Sequence, residues 1–201
     1  MINMEKMKPH KGKRQTDRSR RLIKEALQKL LRSKNYGEIS VGELVKLADV
    51  GRSTFYRHFK GKADVMIDLH RDMFMEIFGE MDSPDKWMSG SSTRIICRMF
   101  TTHLNSPATK TSFAENISTD LDYIMRGVIE LLGKSIESGL QNTFTDSAPK
   151  IPFAVTASAI AGIYSMTFMS WKSSFPEIES EQLAAHVQSL ISAVIQKSIT
   201  E

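Results

Sequence analysis

The sequence is short of the residues that build disulfide-linked, metal-bound or catalytic proteins. Its 201 residues contain one cysteine, Cys97, which rules out an internal disulfide framework and favours a reducing cytoplasm. His10, His70, His103 and His186 form no pair at metal-ligand spacing, so no metal site is predicted. There is no Gly-rich phosphate loop, nucleophile elbow or paired acid motif, so neither an enzyme nor a cofactor is expected.

Long hydrophobic runs are scarce as well. Polar or small residues interrupt the most apolar stretch, residues 151–171, at Thr156, Ser158, Gly162, Ser165, Thr167 and Ser170. A membrane span is therefore not predicted. The basic start, MINMEKMKPHKGKRQ, lacks the apolar segment of a secretory signal. With 41% hydrophobic residues, the chain can bury a core, and we expect a cytoplasmic globular protein.

Charge is divided unevenly along the chain. Residues 1–70 hold 17 Lys and Arg against 8 Asp and Glu, a net charge of +9, while the remainder holds 10 against 15, a net of −5. Such a cationic region favours contact with a polyanion, since neutralising phosphates releases counterions. A solvated basic tail would show the same charge, so both interpretations stay open at this point.

Apolar spacing predicts short helices in the N-terminal region. Residues 1–15 have no periodicity and are interpreted as a mobile basic arm. Thr16 or Asp17 then caps a helix with one apolar stripe, made of Leu22, Ile23, Ala26, Leu27, Leu30 and Leu31. Gly37 is suited to the left-handed position after it. Ser40 and Glu43 form a capping box that opens a second short helix.

A third helix, residues 52–59, carries the candidate binding residues. Phe55 and Phe59 lie one turn apart and are predicted to face inward, which leaves a polar side for the major groove of DNA. We expect DNA contacts from eight residues: Ser40, Arg52, Ser53, Thr54, Tyr56, Arg57, His58 and Lys62. Arg52, Ser53 and Thr54 suit base edges, whereas Tyr56, His58 and Lys62 suit phosphates. Packing roles for Tyr56 and His58, and a solvated charge for Lys62, are the alternatives.

The rest of the chain reads as helical. Lys62 begins a fourth helix that runs to about Phe78, and the segment GEMDSPDKWMSGSS after it is predicted to be a loop near a domain boundary. Periodicity resumes at residues 93–104, 109–117, 119–140, 152–173 and 180–199. No strand-like alternation or internal repeat is present. The predicted fold class is therefore all-α.

The second and third helices resemble the DNA-binding domain of TetR-type repressors. The resemblance rests on Ile39-Ser40-Val41, Leu44, Ala48-Asp49-Val50 and the run from Ser53 to Lys62, and it covers roughly residues 16–70. Three departures stand out. Asp49 replaces a turn glycine but tolerates the left-handed conformation, and Gly51 takes the cap position where Ser or Asn is usual. Gly42 removes a side chain that relatives use to contact a base.

The resemblance implies a domain layout and a set of partners. After the basic arm at 1–15, it implies a helix-turn-helix domain at 16–62, a connecting helix at 63–79 and an effector-binding and dimerisation domain at 80–201. Two copies would pair through the last two helices and bind double-stranded DNA at a pseudo-palindromic operator. The small-residue face that starts at Ala154 and the apolar stripe that starts at Leu183 fit such pairing, although the two helices could also cover each other.

A small-molecule effector is the remaining expected partner. Eight residues are candidates for lining its cavity: Met99, Phe100, His103, Tyr123, Met125, Tyr164, Met166 and Trp171. Ordinary core packing is the alternative for each of them. The leading hypothesis is a repressor that an effector releases from DNA. The alternative is a TetR-like coactivator that works through a protein partner, because residues 171–175 and 180–190 loosely resemble such proteins.

Overall fold

Every regular element in the described part of the chain is helical. The computed structural model describes residues 11–89, 93–105 and 120–199, and the predicted all-α class is confirmed. Nine α-helices lie within these ranges, with one 3-10 turn at Tyr36–Glu38: α1 Lys11–Leu31, α2 Val41–Leu47, α3 Arg52–His58, α4 Lys62–Gly79, α5 Pro84–Met88, α6 Thr93–Asn105, α7 Leu121–Thr143, α8 Phe153–Ser174 and α9 Ser180–Ser198.

The N-terminal helix differs from its prediction at both ends. It begins at Lys11, so the last five residues of the predicted arm are helical. It ends at Leu31, and Gly37 lies inside the 3-10 turn with no positive φ, so its predicted left-handed cap is wrong. The predicted helix at residues 109–117 lies outside the described residues.

A short helix, α5, replaces part of the predicted loop after α4. Ser83 precedes Pro84 at the first helical position, and Asp85 lies in the first turn. These are ordinary helix-start signals, since proline there loses no hydrogen bond and a carboxylate favours the positive helix end. Trp87 on this helix is fully buried. The loop prediction was wrong because the segment is too short to show a periodic stripe.

The chain divides into two compact units, with the boundary inside α4 between Met66 and Ile67. In the first unit, α1 contributes Ile23 and Leu27, α2 contributes Leu44, and α3 contributes Phe55 to one apolar core. Each of these side chains is completely buried. Burying a side chain of this size stabilises the fold by about 1.5–3 kcal/mol.

Trp87 organises the core of the second unit. Its ring stacks on Phe78 at 6.0 Å, and its indole nitrogen donates hydrogen bonds to Met81 O at 2.8 Å and Thr143 Oγ1 at 3.2 Å. Gln188 Nε2 donates to Trp87 O at 2.8 Å. These bonds tie α5 to the segment after α4, to α7 and to α9, and they satisfy polar groups that would be costly to bury unpaired.

Helix α8 is largely apolar, but only one of its faces is buried within the chain. Its segment Phe153–Trp171 is long and apolar enough to cross a membrane, with a mean hydropathy of 1.4, and 28% of it is buried within the chain. Ala157 and Ala161 face inward, and a Cβ on Gly133 of α7 would lie 3.9 Å from Ala161 Cβ. The small residues therefore allow α7 and α8 to approach closely. Val155 and Met166 face outward.

Most of the apolar stripe predicted on the last helix is buried within the chain itself. Leu183, Val187, Ile191 and Ile195 of α9 are all buried, whereas Leu190 is more than half exposed. Helices α5 and α6 pack against α9 as well as α8 does, so the alternative that the last two helices share these faces only with each other does not hold for α9. The outward face of α8 stays exposed within the chain.

Candidate nucleic-acid interface

The start of α2 is held by the predicted capping box. Ser40 Oγ accepts a hydrogen bond from Glu43 N at 3.2 Å, and the Glu43 carboxylate accepts from Ser40 N at 2.9 Å. Lys34 forms an ion pair with the same carboxylate. These hydrogen bonds, first from Lys34 and then from Ser40, lower the pKa of Glu43 to about 2. The box therefore stays ionised at neutral pH and fixes the entry to α2.

A tight turn joins α2 to α3. Asp49 adopts φ 52°, the one positive φ at a non-glycine residue in the described ranges. Its left-handed conformation is the one that the sequence predicted. Gly51 is the N-cap of α3, as expected, with extended φ −72° and ψ 152° and no side-chain cap. The turn thus joins α2 to α3 within four residues, as in a helix-turn-helix.

Helix α3 has one buried and one exposed side. Phe55 is 0% exposed and its ring lies 5.9 Å from that of Phe59, which is also buried. Tyr56 is 57% exposed although its ring meets Phe55 edge-on at 5.3 Å. Arg52, Ser53 and Arg57 are exposed as well. The aromatic pair therefore anchors a helix whose polar side chains face solvent.

The guanidinium of Arg52 extends across the start of α2. A Cβ placed on Gly42 would lie 3.7 Å from Arg52 Nη2, so the absence of a side chain there leaves room for the arginine. Within α3, Arg57 donates to Thr54 Oγ1 at 3.2 Å. Thr54 is half-buried. The base-reading candidate Arg52 therefore lies beside the amino end of α2.

His58 is less available than the sequence suggested. Its Nε2 is buried with no hydrogen-bond partner in the described residues. Burial lowers the pKa of His58. The positive charges of Arg57 and Arg20 also lower this pKa, whereas the negative charge of Asp17 raises it. A neutral, half-buried imidazole is a weaker phosphate ligand than an exposed cation. Its phosphate contact stays a prediction.

Lys62 also contacts the backbone of the turn that precedes α2. Its ammonium donates to Tyr36 O at 2.8 Å, to Ile39 O at 3.0 Å and to Gly37 O at 3.4 Å. It also lies 4.3 Å from the centre of the Tyr36 ring. A phosphate contact by Lys62 stays a prediction, and it would require the ammonium to give up one of these carbonyls.

A family model matches the sequence around this site. Residues 23–69 match the sequence model of the bacterial regulatory proteins, tetR family. The match covers the carboxyl-terminal part of α1, both α2 and α3, and the start of α4. Over these residues the chain is similar to the tetR family of regulatory proteins. The resemblance seen in the sequence is confirmed for this segment.

Solved structures of low identity share the fold over nearly the whole chain. The repressor AlkX of Dietzia sp. is 18% identical, with a TM-score of 0.60 over 90% of this chain and 97% of its own. FadR of Thermus thermophilus, a repressor in complex with lauroyl-CoA, is 19% identical, with a TM-score of 0.56 over 86% and 92%. The dihydroxyacetone kinase operon activator DhaS is 16% identical, with a TM-score of 0.52 over 90% and 98%. No curated protein matches the sequence.

The predicted effector residues differ in burial within the second unit. Met99 and Tyr164 are buried, and Met125 is half-buried. Trp171 is buried and donates to Ile178 O at 2.7 Å, which fastens the loop between α8 and α9. The side chains of Phe100 and His103 lie outside the described residues.

Two effector candidates lie on the surface instead. Tyr123 is 48% exposed and Met166 is 64% exposed, so neither lines an enclosed cavity within one chain. Helical spacing places a residue on a face, but it does not tell whether that face turns inward. No cluster of three or more potential metal ligands occurs in the described ranges.

Proposed function

We propose that this regulator reads a pseudo-palindromic operator with the exposed side of α3. The observation that carries the proposal is the division of one helix between buried Phe55 and Phe59 and exposed Arg52 and Tyr56. Arg52 can donate two hydrogen bonds to a guanine edge, and the Thr54 methyl can meet a thymine methyl. In this proposal the protein acts by binding DNA and not by catalysis, and it does so in the cytoplasm.

Phosphate contacts would set the register of α3 on the duplex. We assign this role to Tyr56 and Arg57, and their exposure supports the assignment. Ser40 lies at the amino end of α2, although its hydroxyl already donates to the Glu43 carboxylate at 2.9 Å. His58 and Lys62 would contribute only after local rearrangement, as their burial and hydrogen bonds indicate.

We propose that two copies pair through α8 and α9. The outward face of α8 exposes Val155, Met166 and Met169 by more than half. A Cβ on Gly162 would meet nothing within 4 Å of this chain, so packing within one chain does not explain the glycine. Leu190 of α9 adds a further exposed apolar side chain. A second copy would bury this surface, and two reading heads on one palindrome would add their binding energies.

The proposed regulation is repression relieved by a small apolar or amphipathic effector. The support is the likeness to two repressors, one of them bound to lauroyl-CoA. Met99, Met125 and Tyr164 remain the candidates for its site in the second unit, since they are buried or half-buried. A coactivator role through a protein partner is the alternative, supported by the likeness to DhaS. Co-purification of a specific partner with the full chain would favour that alternative.

The deciding experiment is selection of bound fragments from genomic DNA with the full chain. We expect enrichment of one pseudo-palindrome, and Arg52→Ala should weaken discrimination at one base pair of each half-site by about 1–3 kcal/mol. Lys29→Ala is the matched control, because this exposed cation lies at the far end of α1. Selection of no common site, or equal discrimination by the Arg52 variant and the wild type, would contradict the proposal.

A further inference from the structure

Gly42 is the second residue of α2, and neither the backbone nor helix stability accounts for a glycine there. No glycine in the described ranges has a positive φ, so the chain can accept a side chain at this position without backbone strain. Within a helix, glycine is also less favourable than alanine, because its backbone loses more freedom on folding. The reason for this glycine therefore lies in the space beside it.

The side chain of Arg52, the first residue of α3, occupies the space beside Gly42. A Cβ on Gly42 would lie 3.7 Å from Arg52 Nη2 and 3.7 Å from Ser40 Oγ. These are ordinary van der Waals distances, so alanine would touch the guanidinium without moving it. A longer side chain would compete for the same space and displace the guanidinium. The missing side chain thus determines where this guanidinium can lie.

The two helices on either side of this contact are both anchored. The capping box of Ser40 and Glu43 holds the first turn of α2, with hydrogen bonds of 2.9 and 3.2 Å. Phe55, one turn after Arg52 on α3, is completely buried in the core of the same unit. The position of the guanidinium relative to α2 therefore depends on the two side chains at positions 42 and 52.

The Arg52 guanidinium keeps its hydrogen-bond donors available. It is exposed, and within the part of the chain that the structure describes it forms neither a hydrogen bond nor an ion pair. Glu43, the acidic residue in the first turn of α2, is already paired with Lys34 and bonded to Ser40. The planar guanidinium can therefore present two parallel N–H groups to the two acceptors of a guanine edge.

We infer that Gly42 is a specificity-determining position, which fixes the base read by Arg52 because its missing side chain lets the guanidinium lie over the amino end of α2. Gly42 is a positioning residue that acts through Arg52 and touches no base itself. The inference rests on the proposed function, since Arg52 must read a base for its position to matter. A displaced guanidinium loses the two-bond contact, because its donors have a rigid geometry.

The test compares Gly42→Leu with Gly79→Leu in the full chain. Both variants add the same apolar side chain to a helical glycine, but a Cβ on Gly79 would meet nothing within 4 Å. Gly79 also lies in the second unit, outside the candidate interface. The probes are the duplex that the wild type selects, the same duplex with each base pair of a half-site changed in turn, and a random duplex of equal length. Circular dichroism checks the fold.

We expect Gly42→Leu to lose discrimination at the base pair that Arg52 reads and to keep it elsewhere. A two-bond arginine contact separates the right base from a wrong one by roughly 5- to 150-fold, and most of this factor should disappear. Affinity for the random duplex should stay near that of the wild type, because phosphate contacts carry no sequence information. Gly79→Leu should keep the whole wild-type pattern.

A double-mutant cycle tests whether Gly42 acts through Arg52. In the Arg52→Ala background, Gly42→Leu should have no further effect on discrimination, because the side chain that it displaces is already absent. Gly42→Ala should lose less than Gly42→Leu, since its Cβ stops at contact distance from the guanidinium. If the leucine variant does not fold, the alanine variant carries the test, with a smaller loss at the same base pair that Arg52→Ala abolishes.

Three results would overturn the inference. They are wild-type discrimination by a folded Gly42→Leu variant, an equal effect of leucine with and without Arg52, and equal losses in the alanine and leucine variants. If the wild type selects a site and Arg52→Ala loses one base pair while Gly42→Leu loses none, the proposed function stands and only this inference fails. If the wild type selects no site, both fail.

Discussion

The Lys62 ammonium lies 4.3 Å from the centre of the Tyr36 ring and donates to the Tyr36 carbonyl oxygen at 2.8 Å. One side chain at the start of α4 therefore binds both the ring and the backbone of the turn that precedes α2. The sequence assigned Lys62 to phosphate because it follows the recognition helix. The contacts with Tyr36 add a second role for Lys62, which is to stabilise the fold of the first unit.

Replacing Lys62 by methionine should destabilise the first unit. The change removes hydrogen bonds from a charged donor and a cation–π contact, so we expect a loss of about 2 kcal/mol in the free energy of unfolding. Urea denaturation measures it. Lys60→Met, at an exposed neighbouring position, should change stability by less than about 0.5 kcal/mol. If the two variants were equally stable, the contacts of Lys62 would not stabilise the first unit.

Gly139→Ala should destabilise the second unit. The added Cβ would lie 2.8 Å from Trp87 Cζ2, and this ring is fully buried between neighbours that cannot give way cheaply. We expect a cost of about 1–3 kcal/mol from overpacking. Gly133→Ala is the control on the same helix, because its Cβ would meet Ala161 Cβ at an ordinary 3.9 Å. Thermal denaturation should show that variant unchanged or stabilised by up to about 1 kcal/mol.

His58 should make stability depend on pH. Burial and nearby arginines lower its pKa in the folded state below the ordinary 6.5. The unfolded chain therefore binds more protons as the medium becomes acidic. Stability from the neutral ring is complete above pH 6.5 and is lost as pH falls from 6.5 through the folded pKa.

The variant His58→Phe tests this effect. The difference between the urea midpoints at about pH 8 and about pH 5.5 should shrink relative to the wild type. His186→Gln, which removes an exposed histidine of α9, serves as the matched control. A wild type whose midpoint rises on acidification would show the opposite linkage.

Met166→Glu should separate the proposed dimer into monomers. Met166 is 64% exposed on the outward face of α8, and a carboxylate there would be desolvated against the second copy. Light scattering after size exclusion gives the mass. Met75→Glu on α4 is the control, since Met75 is 66% exposed but lies on a different helix. A Met166 variant that keeps twice the chain mass would place the interface elsewhere.

Short-range spacing accounts for what the sequence predicted well. Phe55 and Phe59 lie one helical turn apart, so their burial and the exposure of Tyr56 follow from the helix period. The capping box of Ser40 and Glu43 and the left-handed Asp49 involve residues at most three apart. Their chemistry is contained within one turn of chain.

The tertiary structure alone decided which faces are used. The sequence shows an apolar stripe on α9, but only packing against the rest of the unit buries Leu183 and Ile191 and leaves the outward face of α8 uncovered. Trp87 is a core residue because Gln188, a hundred positions away, and Thr143 meet it. Helical period determines which residues share a face. Which face turns inward depends on contacts between distant segments, and those arise only when the chain closes on itself.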